Sequence, residues 1–332
     1  MRARALNLKR LNSKQLEIII AIFVLLIPAL AFRLIGLNYA VYLLVLVALW
    51  AFLGQAWNIC YGYAGVLSFG HAAFFGLGAY VSTILFLNYG LTPWIGMLIG
   101  GGFAALLGLF VGIPTIRLRG AYFALSTIAM AEIVRLLVLK LDFITAGASG
   151  LLLPANLSPL QLYFKDTFYW FLATLAILVA LLIFSYKLEK SKLGKALRAM
   201  KENETAAASL GIYPLKYKII ALMISAFFTG IGGVFYAQYL GYIRPDFMLI
   251  PTLSDEILIV AILGGVGTLL GAVVGSLIFI VLRSVFLGLF GGGMMGSYLI
   301  LYGALTIVVV MFLPEGIYPR LRKVVARIRS KT

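Results

Sequence analysis

Long apolar runs separated by short polar breaks dominate this chain, and the runs approach the ~20 residues a helix needs to cross a hydrocarbon core. Candidate spans fall at 18–36, 39–59, 61–87, 93–116, 121–139 and 168–186 and, beyond the longest polar gap, at 217–240, 253–286 and 298–313. Barrel strands would alternate apolar and polar residues over ~10 positions, which is not the pattern here. Lipid offers no hydrogen bonds, so only helices or closed barrels satisfy the backbone inside it. The pattern therefore predicts an all-α integral membrane protein, a polytopic bundle of roughly 8–10 transmembrane helices.

Two runs depart from a plain span. The run 61–87 is broken by glycines, and 253–286 is too long for one straight crossing and carries Gly264, Gly265, Gly267, Gly271 and Gly275. Topology bears on the second. Six spans precede the polar gap, so the N-terminus and the gap share one side. The remaining three spans would leave the C-terminus on the other side unless 253–286 is two short helices or a re-entrant segment. A discontinuous element is expected there. An alternative for the first run is a secretory signal, since a basic stretch and an apolar stretch precede Pro28, Ala29, Leu30 and Ala31. An ordinary first helix, kinked at Pro28, is the preferred reading.

Charge sharpens the topology. The net charge is +16, yet its cations flank apolar runs instead of forming one basic face. Arg2, Arg4, Lys9, Arg10 and Lys14 precede the first run, and Arg117 and Arg119 sit at a break. Further blocks fill the gap from Lys187 to Lys218 and end the chain from Arg320 to Lys331. Such blocks mark the cytoplasmic side, and the terminal ones can also touch anionic lipid. The domain reading is a cytoplasmic basic N-terminus at 1–16, one transmembrane permease domain at 17–318 with a cytoplasmic segment at 187–215, and a cytoplasmic basic tail at 319–332. With charged residues at only 11% and hydrophobic ones at 63%, no water-facing globular domain fits. The placement of the cations beside apolar runs argues against a nucleic-acid binder.

Candidate chemistry is sparse. Cys60 is the single cysteine, so no disulfide framework or cysteine metal site exists within the chain. No phosphate-binding loop, His/Cys metal spacing or Ser/His/Asp set occurs. No catalytic residue, metal or cofactor is expected, and the chain is not read as an enzyme. The two glycine-rich segments, one in each half, fit a transport pathway built from internal repeats. Ser68, Gly70, His71, Gly264, Gly265 and Gly267 are the path candidates. Close helix packing is the competing reading, and Gly267, Gly271 and Gly275 at four-residue spacing suit it well. His71, the only histidine, can titrate, bind substrate or be a satisfied structural group. Glu132 and Arg135, three apart, can pair on one helix face. Asp255 and Glu256 are read as favouring a helix N-terminus.

The gap segment 191–212 holds Ala196, Leu197 and Met200 as a narrow apolar face, then three alanines and a glycine stop. Such a short amphipathic helix either lies on the bilayer or docks into a partner. Few aromatics and the acids Glu202 and Glu204 favour docking.

At this point several ordered motifs resemble the LivM-type permeases of branched-chain amino acid ABC importers. They are GYAGVLSFGHAAFFGLGAY at 62–80, LRGAYFAL at 118–125, AEIVRL at 131–136, LGKALRA at 193–199, ETAAASLGI at 204–212, ILGGVGTLLG at 262–271 and LPEG at 313–316. The resemblance covers most of the chain after the first span. It departs at 145–151, where Ala146 and Ala148 surround Gly147 in place of the family's Thr-Gly-Gly-x-x-Gly-Leu run. It implies an ABC importer permease fold with an internal repeat, multi-pass in the plasma (inner) membrane with both termini cytoplasmic. The implied partners are a LivH-like second permease, two cytoplasmic ATPases and an extracytoplasmic substrate-binding protein. The implied cargo is Leu, Ile and Val, with urea or short amides as the alternative. Glu204, Ala206, Ala207 and Gly211 resemble the ATPase-coupling motif, and a bulky residue at Ala207 or Gly211 is expected to uncouple ATP hydrolysis from uptake. A self-contained secondary carrier remains a rival, with Glu132, Asp255 and Glu256 its only acidic candidates. A structural membrane scaffold is a weaker one, disfavoured by the paired glycine breaks.

Overall fold

The computed structural model describes residues 13–115, 117–118, 120–154, 158–290, 303–304, 307, 311 and 316–322. Nine helices among these residues are long and apolar enough to cross a membrane. The first is α1 (Ser13–Ile35), which runs through Pro28 without a break. Next come α2 (Asn38–Asn58), α3 (His71–Tyr89), α4 (Pro93–Thr115) and α5 (Ala121–Lys140). A four-residue turn, α6 (Asp142–Thr145), follows. After α7 (Thr167–Lys190) come two short helices, α8 (Lys192–Glu202) and α9 (Glu204–Ser209). The long α10 (Pro214–Leu240) leads to the brief α11 (Pro245–Met248), then α12 (Pro251–Gly264) and α13 (Gly271–Phe290).

The bundle has two distinguishable ends. One carries α8, α9 and the cations around them and is called the basic end. At the other, β1 (Leu151–Leu152) pairs antiparallel with β2 (Tyr242–Ile243), Leu151 opposite Ile243. That ribbon ties the α5–α7 connection to the turn after α10.

Burial follows lipid logic. Every residue of α2 from Val47 to Asn58 is buried, so this helix is the bundle's centre, packed on α7, α10, α12 and α13. By contrast α1 buries Glu17 and the apolar stripe Ile18, Ala21, Leu25 and Ala29, and leaves Phe23, Ile27 and Leu34 exposed. Exposed apolar side chains of this kind are what hydrocarbon solvates. Polar tethers fix the ends of α1. Lys14 pairs with Glu189, and Arg33 lies 3.1 Å from Asp166 and 4.3 Å over the Phe168 ring.

Helices α3, α4 and α10 meet backbone to backbone. A Cβ at Gly78 would lie 2.4 Å from the Gly230 carbonyl oxygen, and one at Gly100 would lie 2.7 Å from that of Gly78. Here the glycines serve close packing.

The long run 253–286 is indeed discontinuous. It divides between α12 and α13, with residues 265–270 outside both helices. This return restores the topology. Residues 316–322 lie back at the basic end, where Arg322 comes 4.0 Å from Glu17 and a Cβ on Gly316 would touch Gly265. Most of the expected span at 298–313, and the basic blocks at 1–12 and 323–332, lie outside the described residues.

Candidate translocation and coupling site

The two glycine breaks meet. At its basic end α2 winds into a π turn, Ile59–Tyr63, and Gly65 (φ 72°) reverses the chain. Residues 65–70 then run without helix to the start of α3 at His71. This stretch is pinned from both sides. Trp57 Nε1 donates to the Ser68 carbonyl at 2.9 Å, and the Phe69 amide donates to Thr127 Oγ1 at 3.0 Å. In the second break Gly265 and Gly267 adopt φ of 124° and 80°, which disfavour any side chain with a Cβ.

Asn58 joins the breaks. Its Nδ2 donates to the Thr268 carbonyl at 2.8 Å and its Oδ1 accepts from the Gly267 amide at 2.7 Å. One amide side chain thus satisfies a donor and an acceptor that no helix serves. Asn58→Leu leaves both unpaired in a half-buried site, which costs up to about 1–3 kcal/mol for each. Purified Asn58→Leu protein is expected to melt well below the parent, and an unchanged melting temperature would remove the bridge.

The glycines of the second break divide their work. Gly265 and Gly267 supply backbone conformation. Gly264, Gly271 and Gly275 supply contact, since a Cβ on Gly264 would lie 1.7 Å from the Gly271 carbonyl oxygen and one on Gly275 2.0 Å from that of Val260. His71 sits fully buried against Ser225 and Phe74. Ser225 donates its only proton to the Ala56 carbonyl at 2.8 Å, so at the 2.8 Å contact His71 Nε2 is the donor. Ser68 is buried too, and a Cβ on Gly70 would press on the Thr127 carbonyl.

The segment between α7 and α10 touches this junction directly. Ser191 caps α8 and Asn203 caps α9, each accepting a backbone amide three residues on. Gly194, Ala196, Leu197 and Met200 form the inward face of α8. From its last turn Lys201 Nζ donates to the Gly62 carbonyl at 2.8 Å, in the π turn. Lost hydration draws the Lys201 ammonium below the usual lysine pKa. A Cβ on Gly267 would lie 3.3 Å from that carbonyl oxygen and 3.7 Å from Lys201 Nζ. Three elements, α8, the π turn and the second break, therefore converge on one carbonyl.

Of the four coupling candidates, Glu204, Ala206 and Gly211 are exposed, and Ala207 is 2% exposed. Ala207 anchors α9, so a bulky residue there disturbs this chain before any partner. Gly211 has φ 82° with open space around it. Glu204 pairs with Lys218 at 2.7 Å. Two large apolar side chains stand out beside them, Leu210 at 81% and Tyr213 at 74% exposure.

A second polar site lies nearer the ribbon end. Asp255 and Glu256 do not cap α12, which begins at Pro251 without an acid in its first turn. Instead Glu256 Oε2 accepts from Trp50 Nε1 at 3.0 Å and from Arg283 Nη1 at 2.9 Å. Local spacing suggested a cap because the true partner is 27 residues distant. The lone cation Arg283 in an apolar helix was the available signal, since an intramembrane charge must find a partner. These three residues line a cavity of about 580 Å³. Glu132 and Arg135 do pair on α5, at 2.6 and 2.9 Å, and Arg135 also lies 3.8 Å from Asp246.

Comparison with known proteins adds identity to this geometry. The chain is 29% identical to the high-affinity branched-chain amino acid transport system permease protein LivM of Escherichia coli (strain K12), over 90% of this chain and 74% of that protein. It is 28% identical to the nucleoside ABC transporter permease protein NupC of Lactococcus lactis subsp. cremoris, over 77% and 86%. It is 25% identical to the permease protein LivH of the branched-chain system of Salmonella typhimurium, over 82% and 91%. No solved structure matches the chain. A family model described as "Branched-chain amino acid transport system / permease component" matches residues 39–310. With that model covering most of its length, the chain belongs to the family of permease components of branched-chain amino acid transport systems.

Proposed function

We propose that this chain is one permease subunit of an ATP-driven importer that carries Leu, Ile and Val across the plasma membrane. Its likeness to both LivM and LivH supports pairing with a second, related permease. Two cytoplasmic ATPases supply the energy, and an extracytoplasmic binding protein delivers the cargo. Residues 17–318 act as one transmembrane unit, with 187–215 as the coupling segment. The basic end is cytoplasmic by its charge, as are the termini at 1–16 and 319–332. Glu204, Ala206 and Gly211 meet the ATPases and Ala207 holds their helix in place.

One observation carries the reading. The exposed segment α8–α9 is hydrogen-bonded through Lys201 to the π turn, and Asn58 ties that turn to the second glycine break. Movement imposed on α8 by a closing ATPase pair reaches both breaks without crossing the bundle. The exposed Leu210 and Tyr213 beside α9 give a partner a greasy knob within a basic rim. Gly264, Gly265 and Gly267, with Ser68, Gly70 and His71, form the walls that move when the path opens.

Nucleoside cargo is the second reading, because of the likeness to NupC; urea or a short amide is a third, and a carrier working without ATP a fourth. Uptake into proteoliposomes holding the complete assembly separates them. The expected result is leucine accumulation that needs ATP on the ATPase side and disappears when the ATPases are omitted. Gradient-driven uptake by the chain alone would overturn the proposal, and ATP-driven uptake of uridine or urea in place of leucine would replace its cargo. Gly211→Trp is expected to leave the spans folded and ATP hydrolysis running while uptake falls; normal uptake would withdraw Gly211 from the coupling surface.

A further inference from the structure

The cavity of about 580 Å³ lies between α2, α10, α12 and α13. Towards the ribbon end it is walled by Leu240, Tyr242, Phe247 and Ile250, with Asp246 among them. At depth it reaches Trp50, Glu256 and Arg283. Trp50 is twelve residues along α2 from its ribbon-end start, about 18 Å at the helical rise, and Arg283 is as far from the opposite start of α13. The polar trio therefore sits near mid-membrane, and Asn58, at the junction of the glycine breaks, is a further ~12 Å along α2. Two opposite charges paired at this depth and facing a cavity mark a functional site, because intramembrane ionisable groups are costly away from a partner or a pathway.

We infer that this cavity is a zwitterion site in the permease itself, with Arg283 taking a carboxylate, Glu256 an ammonium, and the walls an aliphatic side chain. The inference rests on the amino-acid reading above and deepens it. Arg283 Nη1 meets Glu256 Oε2 at 2.9 Å. A guanidinium has five donors in a fork and a carboxylate has two oxygens, so the pair can stay joined while each also takes a ligand group. A zwitterion supplies each of the two groups with an opposite charge. A neutral solute such as urea or a nucleoside can hydrogen-bond to both groups but supplies no opposite charge to either, so it gains less from the pair than a zwitterion does. Trp50 Nε1 bonds the same Glu256 oxygen at 3.0 Å, which fixes the carboxylate in place for the ammonium. Leu240, Phe247, Ile250 and Leu253 give the side chain an apolar bed. The volume matches the usual range for small-molecule pockets, about 300–1,000 Å³. At the mouth Asp246 lies 3.8 Å from both Arg135 and Arg244, so both signs of charge line the approach.

The test uses the permease–ATPase assembly in nanodiscs, without its binding protein, and radiolabelled L-leucine. Wild type should bind leucine. Isoleucine and valine should displace it, whereas leucinamide, which lacks the carboxylate, and isocaproate, which lacks the ammonium, should not. Glu256→Gln combined with Arg283→Gln removes both charges and leaves neither buried alone. That double variant should bind leucine at least about tenfold more weakly, a loss of about 1.4 kcal/mol, while the assembly still elutes as one intact complex. Arg283→Lys should keep part of the affinity and discriminate less against leucinamide. Equal displacement by leucinamide, unchanged binding in the double variant, or no leucine binding by an assembly that imports leucine would each overturn the site. Failure of the intact assembly to import leucine at all would overturn the cargo reading instead.

Discussion

Gly264→Ala is expected to abolish uptake. A Cβ at this position would sit 1.7 Å from the carbonyl oxygen of Gly271 and 2.3 Å from its carbonyl carbon. Both atoms belong to backbone, so no rotamer change relieves the clash, and α12 and α13 must separate. Overpacking of this kind costs about 1–3 kcal/mol in ordinary cores. The damage here is larger in consequence, because the same hairpin holds Gly267 against Asn58. Gly102→Ala is the matched control. It lies inside α4 with nothing within 4 Å of its Cβ, and alanine favours a helix over glycine by about 1 kcal/mol. Initial uptake rates and melting temperatures of the two variants decide the matter. Gly102→Ala should behave as wild type, and wild-type uptake by Gly264→Ala would show that the hairpin contact is not needed.

Lys201→Met should uncouple hydrolysis from transport. The change keeps most of the side-chain length and removes the donor to the Gly62 carbonyl. The bond is part-buried and solvent screens it, so its loss is worth about 1 kcal/mol, below the ~1.5–3 kcal/mol of a fully buried charged donor. Global folding should survive this. Transmission should not, since a change of that size in the coupling equilibrium is about fivefold. Leucine imported per ATP hydrolysed is the quantity to measure. It should fall about fivefold while basal hydrolysis persists, and Lys201→Arg should restore most of it. An unchanged ratio in Lys201→Met would move the coupling contact elsewhere.

Much of this architecture is legible in sequence because lipid imposes a simple rule. Apolar run length sets the spans, and charge parity together with the excess length and glycines of 253–286 points to the division that α12 and α13 display. The amphipathic face at Ala196, Leu197 and Met200 is likewise local, since helical period places those residues together. What escapes is long-range pairing. Nothing near Asn58 in sequence announces its bonds to residues 267 and 268, some 210 positions away. Glu256 invites a capping reading because its neighbours suit one, and only the fold brings Trp50 and Arg283 to it. Ala207 and Ala206 are equivalent in composition, yet opposite sides of one short helix bury the first and expose the second.

The central claim is that motion at the basic end opens the glycine breaks. The chain carries its own reporter, Cys60, which is fully buried in the π turn and bonded to the Val66 carbonyl at 3.3 Å. Alkylation of this cysteine by a small thiol reagent, read by mass spectrometry of this chain, measures exposure of the first break. In the complete assembly Cys60 should be protected without nucleotide and should react at least about tenfold faster during ATP turnover. The acceleration should be blunted in Lys201→Met. A labelling rate that is the same with and without turnover would contradict the account, because the junction beneath α8 would then be a fixed part of the bundle.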